Sequence, residues 1–127
     1  MEQLQAPGIG MGIILGMILL IGNVLALYAM RAAAAGEITP DSSFAGIRTA
    51  AVRSTDATWR AAHEAAWPWS QRLNGAAALG AIVTATLGAT VAPFLIAAGA
   101  TIALTIAGAI TTLVVGDRTA REVLGER

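Results

Sequence analysis

The feature that most constrains this chain is a run of 44 residues, from Leu73 to Gly116, that contains no charged side chain. As a single helix it would be about 66 Å long, roughly twice the hydrocarbon thickness of a bilayer. We therefore predict two membrane-spanning helices, about residues 73–91 and 94–115, with a break at Gly88 and Pro93. A tight turn would join the two helices as a hairpin.

A second uncharged stretch covers residues 8–30, which is long enough to cross a core of about 30 Å as a helix. A cleaved signal peptide is the alternative, but its first residues should be basic, and here only Glu2 is charged. With 56% hydrophobic and 13% charged residues, the chain is far from an ordinary soluble protein. The predicted fold class is an all-α integral membrane protein, one domain over residues 1–127 with three transmembrane helices.

Small residues four apart indicate where the predicted helices pack. Gly8, Gly12 and Gly16 share one face of the first span, and Gly80 and Gly88 belong to a similar repeat in the second. Such faces let two backbones approach closely in membranes. These glycines are the predicted helix-packing positions.

Asn23 lies inside the first predicted span, where its amide has no access to bulk water. A polar group in that position is costly unless it is hydrogen-bonded. We predict that Asn23 bonds to a neighbouring helix or faces a polar cavity.

Residues 31–72 form the predicted extramembrane loop, with a short amphipathic helix in its second part. Ser54 is the expected N-cap of this helix, and Pro68 should end it or open the next one. Trp59 and His63 lie on one stripe of the helix, and Trp59 is expected to anchor it in the membrane interface.

All eight arginines lie in this loop or in the polar tail, residues 116–127. The positive-inside rule therefore predicts a cytoplasmic loop and C-terminus, with the N-terminus outside. The predicted location is the cell membrane.

Several function classes find little support in the composition. The chain has no cysteine, one histidine and no net charge, so we expect no metal, no cofactor and no nucleic-acid partner. No ionisable residue lies inside a predicted span, which argues against a transporter. His63 and Glu64 point to different helix faces, so an enzyme is not favoured.

A motif in the loop resembles the signature of the SdpI (SdpI/YhfL) family of small bacterial membrane proteins. It reads Gly46-Ile47-Arg48-Thr49, followed by Ser54, Trp59 and His63. This chain departs from the family pattern at Ala50, where proline is usual, and at Pro40-Asp41, where Pro-Asn is usual. The candidate binding or motif residues are Gly46, Arg48, Thr49, Ser54, Trp59 and His63.

The resemblance implies three spans with the motif between the first and second. It also implies toxin immunity or envelope signalling, through protection from a secreted membrane-active peptide and retention of a transcriptional repressor at the membrane. The expected partners are the lipid bilayer and another membrane protein, a peptide or a second copy of the chain.

Two motif residues have alternative roles. Arg48 can hold a phosphate or a carboxylate, or it can pair with Asp56 or a helix end and pin the loop. His63 can stack on Trp59 or hydrogen-bond to the loop backbone, which we favour, or it can transfer protons or bind a ligand.

Two other function hypotheses stay open. In one, the chain is a structural accessory subunit that joins a larger membrane complex or a homo-oligomer through Gly8, Gly12 and Gly16. In the other, it is a membrane enzyme or a lipid-binding protein that depends on Arg48 and His63.

Overall fold

The computed structural model describes residues 4–41 and 45–125, which form three α-helices and, within those ranges, no strand. Helix α1 is Ile9–Ala34, α2 is Asp56–Thr86 and α3 is Ala92–Val123. Helix α2 is central, because it packs along both α1 and α3 while those two scarcely touch each other. The protein is all-α, as its sequence predicts.

Two of the helices, α1 and α3, are long and apolar enough to cross a membrane. Both leave large apolar side chains exposed, among them Ile18 at 63% and Ile96 at 72%. Both also run past the predicted spans, since α1 continues to Ala34 and α3 carries the first part of the predicted tail. The last two residues of that tail lie outside the described residues.

The predicted interfacial helix is not a separate element, and its expected end at Pro68 is wrong. Helix α2 continues through Pro68 and joins the predicted amphipathic helix to the predicted second span. An interior proline costs about 3 kcal/mol through a lost hydrogen bond and a steric clash. Here α2 is buried on both sides of that position, at Ala66 and Ser70, so packing against its neighbours outweighs the local preference.

Helix α2 begins one residue later than the sequence suggests. Thr55, not Ser54, is the N-cap: its Oγ1 accepts from the Thr58 amide at 3.0 Å, and the Thr58 hydroxyl accepts from the Thr55 amide at 3.0 Å. This reciprocal pair satisfies two N–H groups that the helix itself leaves unpaired. The Ser54 hydroxyl instead donates to the Ala50 carbonyl at 2.8 Å.

The glycine face of α1 packs on the C-terminal end of α2. A Cβ added to Gly12 would lie 2.6 Å from Gly88 Cα, and the Gly8 amide donates to the Gly88 carbonyl at 2.8 Å. Gly16 is equally close to Ala85, and Gly80 meets Thr101 of α3. Because α2 and the turn after it cover Gly12 and Gly16, and Gly8 bonds to that turn, an accessory subunit would need a different surface to join a complex.

A hydrogen-bonded polar network joins all three helices in the interior. Asn74 donates to Asn23 Oδ1 at 2.9 Å, Asn23 donates to Thr105 Oγ1 at 3.0 Å, and Ser70 donates to Asn74 Oδ1 at 2.9 Å. Asn23 therefore bonds to two neighbouring helices. Interhelical bonds of this kind set the register of helices whose remaining contacts are apolar.

Candidate functional site

The loop between α1 and α2 folds over one end of the bundle and carries the motif into a buried cluster. Ile47 is 6% exposed and Trp59 1% exposed. The cluster draws on α1, the loop, α2 and α3, and its members are Met30, Ala33, Ile47, Ala51, Val52, Trp59, Ala62, Ala66 and Ala120. The motif is thus a packing unit that closes this end of the protein.

Gly46 is the point where the loop backbone meets two aromatic rings. Its φ is +92°, a conformation that side chains with a Cβ rarely adopt. An added Cβ would lie 2.7 Å from the Trp59 ring and 2.8 Å from His63 Nε2. Both the backbone angle and the close approach require glycine here.

His63 is fully buried, and both of its ring nitrogens are hydrogen-bonded. The Ile47 amide donates to Nε2 at 2.8 Å, so Nδ1 carries the proton and donates to the Trp59 carbonyl at 2.7 Å. Burial lowers the pKa of His63, the bond to the Trp59 carbonyl opposes that shift, and the Arg48 charge adds to it. The neutral imidazole therefore joins the loop to α2.

Trp59 does not anchor the protein in the interface, and that expectation is wrong. Its indole is buried under the loop, its Nε1 donates to the Ile38 carbonyl at 2.8 Å, and its ring centroid lies 4.3 Å from that of His63. The loop covers the stripe of α2 that carries Trp59 and His63.

Arg48 holds the loop's own backbone. Its Nη2 donates to the Ala45 carbonyl at 3.0 Å and its Nη1 to the Pro40 carbonyl at 3.4 Å. The guanidinium also lies 5.5 Å from the centre of the Trp59 ring, within cation–π range. These contacts favour the loop-pinning role over binding of an external anion.

The remaining two motif residues differ in their surroundings. The Thr49 side chain lies beside the Asp117 carboxylate of α3 and lowers its pKa, and Thr49 Oγ1 accepts from the Val52 amide at 3.3 Å. Ser54 is exposed and lies outside the cluster. The structure therefore brings together Gly46, Arg48, Trp59 and His63, places Thr49 beside Asp117 of α3, and leaves Ser54 apart.

No protein-family model, curated protein or solved structure matches this chain. The resemblance to the SdpI family therefore rests on the motif residues, their spacing and the predicted three-span layout. In the part of the chain that the structure describes, no group of three His, Cys, Asp or Glu residues is placed to hold a metal ion.

An apolar groove of about 510 Å³ lies between α1 and the motif loop. On the loop side its lining includes Ala45 and Gly46. On the α1 side the lining residues are Gly22, Leu25, Ala26, Tyr28 and Ala29. At this groove the motif backbone reaches the outside of the bundle.

Sequence reasoning did not identify the α1 side of the groove. Gly22 and Ala26 are four residues apart, the same signal that singled out Gly12 and Gly16. The spacing alone does not show that one set packs against α2 while the other lines an open groove.

Proposed function

We propose that the chain is an SdpI-like integral membrane protein with three spans, its N-terminus outside and its loop and C-terminus in the cytoplasm. The exposed apolar side chains of α1 and α3 support this placement, as does the position of all eight arginines in the loop or the tail. The apolar half of α2, residues 73–86, is about 21 Å long and completes the bundle between the two longer apolar helices.

The function that fits this geometry best is binding of an apolar segment of a membrane-active peptide or membrane partner in the groove between α1 and the motif loop. The observation that carries the proposal is that Gly46 and Ala45 line an apolar groove open along the outer face of α1. A ligand that enters from the bilayer reaches the motif there without crossing water. Toxin immunity or envelope signalling is the corresponding cellular role.

The contacts of the motif favour binding over catalysis. Both nitrogens of His63 already bond to the backbone, and Arg48 bonds to loop carbonyls. Proton transfer by His63 would require its bonds to break, and the loop would lose its hydrogen bond from Ile47 to α2. In the proposed function His63 and Arg48 hold the loop segment whose residues Ala45 and Gly46 line the groove, and they do not react.

The test of groove binding uses two open glycines of α1. A Cβ added to Gly22 or to Gly10 meets no atom within 4 Å, so a leucine is sterically acceptable at either position. Only Gly22 lines the groove. A deletion strain would be complemented with the wild type, Gly22→Leu or Gly10→Leu and challenged with membrane-active peptides.

We expect Gly22→Leu to leave the cells as sensitive as the deletion, and Gly10→Leu to protect them like the wild type. Equal protection by the two variants would exclude the groove as the binding site. Unchanged sensitivity of the deletion strain would count against immunity itself.

Topology is tested independently, because the chain has no native cysteine. A single cysteine at Gln5 or at Arg53 would be reacted with a membrane-impermeant maleimide on intact cells. We expect labelling at Gln5→Cys only, and labelling of Arg53→Cys on intact cells would contradict the proposed orientation.

A further inference from the structure

Between the polar network and the loop end of the bundle, the first charged residue lies at a different distance from the network on each of the three helices. Asn74 of α2 lies opposite Asn23 of α1 through their hydrogen bond and beside Gly108 of α3. From that level the next charge is eight residues away on α1, at Arg31, and nine away on α3, at Asp117, or about 12 and 13 Å.

On α2 the corresponding charge is much closer. Arg72 is only two residues, or about 3 Å, from Asn74 in the direction of the loop. Its Cα is therefore about 9 Å deeper in the bundle than the first charge of α1 and about 10 Å deeper than that of α3. Arg72 is exposed, so this charge faces outward where the flanking helices are still apolar.

The side chain of Arg72 is directed toward the charged end of the bundle. Its guanidinium lies 5.4 Å from the centre of the Trp69 ring, one turn earlier on α2, and Trp69 is 41% exposed. Within residues 4–41 and 45–125 no carboxylate lies within salt-bridge distance of Arg72. A cation and an exposed indole thus occupy one place on the outer face of α2.

The same face of α2 is apolar on the other side of Arg72. Gly75 has open space beside it, and Leu79 and Ile82 are 68% and 49% exposed. An anionic group at Arg72 would therefore sit directly above an apolar surface. A phospholipid matches this surface, because it joins an anionic phosphate to apolar acyl chains.

We propose that Trp69 and Arg72 bind the phosphate of an anionic phospholipid of the cytoplasmic leaflet, drawn deeper than its neighbours, with its acyl chains along Gly75, Leu79 and Ile82. The guanidinium supplies charge-assisted hydrogen bonds, and the indole N–H supplies a further donor. This inference rests on the membrane placement in the proposed function but not on groove binding.

A second copy of the chain fits this surface less well. Two copies inserted in the same direction and related by a two-fold axis would place Arg72 opposite Arg72 at the same depth. Like charges with no carboxylate between them oppose that contact, whereas a phosphate neutralises each one.

The test uses the full chain reconstituted in vesicles of phosphatidylcholine, with and without phosphatidylglycerol. Native mass spectrometry would count the lipids retained by the wild type, Arg72→Gln, Arg72→Lys, Trp69→Phe and the control Arg53→Gln, an exposed arginine of the loop. Resistance to alkaline extraction would report insertion for each variant.

We expect the wild type and Arg53→Gln to retain phosphatidylglycerol in preference to phosphatidylcholine. Arg72→Gln should retain about fivefold less phosphatidylglycerol than the wild type. Arg72→Lys should keep part of it, and Trp69→Phe should lose less than Arg72→Gln. Equal retention by the wild type and Arg72→Gln, or a dominant dimer in place of bound lipid, would overturn the site. If alkaline treatment removes the wild-type protein from the vesicles, both the membrane placement and the lipid site are overturned.

Discussion

The Ile47 amide donates a hydrogen bond of 2.8 Å to Nε2 of His63, and this bond joins the motif loop to the central helix. It also determines the tautomer, because the other ring nitrogen donates to the Trp59 carbonyl at 2.7 Å. Protonation of Nε2 would place its N–H opposite the Ile47 N–H in a buried site, so that neither donor has an acceptor there. The loop is therefore held most firmly when His63 is neutral.

The first prediction concerns pH. Burial lowers the pKa of His63 from the value of 6.5 expected for the unfolded chain, so the unfolded state binds the proton more readily. Stability is full above pH 6.5 and falls as the pH drops from there toward the folded pKa, by at most about 1.4 kcal/mol per pH unit. Unfolding in detergent between about pH 5 and 8 measures the slope.

The matched control is His63→Gln, which removes the only histidine of the chain. This variant is expected to be less stable than the wild type but flat across that window. An equal slope in both proteins would show that another group is responsible.

The second prediction concerns Gly46. Gly46→Ala is expected to destabilise the protein by at least about 2 kcal/mol, because it combines an unfavourable backbone angle with overlap of its Cβ on Trp59 and His63. Gly10→Ala, in open space on α1, should be neutral or slightly stabilising. Thermal unfolding in detergent compares the two, and equal stability would contradict the described loop geometry.

The third prediction distinguishes two neighbouring candidates for the N-cap of α2. Thr55→Ala should lower the free energy of unfolding by about 1 kcal/mol, because the Thr58 amide loses its bond to the Thr55 hydroxyl. Ser54→Ala removes the solvent-exposed bond to the Ala50 carbonyl and should lower it by less. Denaturation of both variants under one condition decides between them. A larger loss for Ser54→Ala would restore the cap expected from the sequence.

The fourth prediction concerns the polar network. Asn23→Ala and Asn74→Ala share a hydrogen bond of 2.9 Å, so a double-mutant cycle should give a coupling of about 0.6 kcal/mol and at most about 1.7 kcal/mol. Thr86→Ala is the control, because the exposed Thr86 bonds to Val83 of its own helix. Additive losses for the two asparagines would indicate that they do not interact.

The candidate site was only partly predictable from the sequence. The spacing of Trp59 and His63 places them on one helix face, and their stacking follows from it. The covering of that face by the loop does not follow, because it depends on where the Gly46 backbone passes in space. For this reason the sequence predicts Trp59 at the interface, although the residue lies in the core.

The sequence by itself determined the all-α class, the apolar segments and the division between apolar and charged regions. Each of these depends on residues that are neighbours along the chain, because the cost of placing a charge in lipid and the length of an apolar helix can both be read from one segment. Only the tertiary structure decided that Pro68 lies inside one long helix, that Gly12 meets Gly88, and that α2 places Arg72 deeper than the charges of its neighbours. Each of these depends on contacts between segments distant along the chain, and their combined energy outweighs the local preferences that a sequence shows.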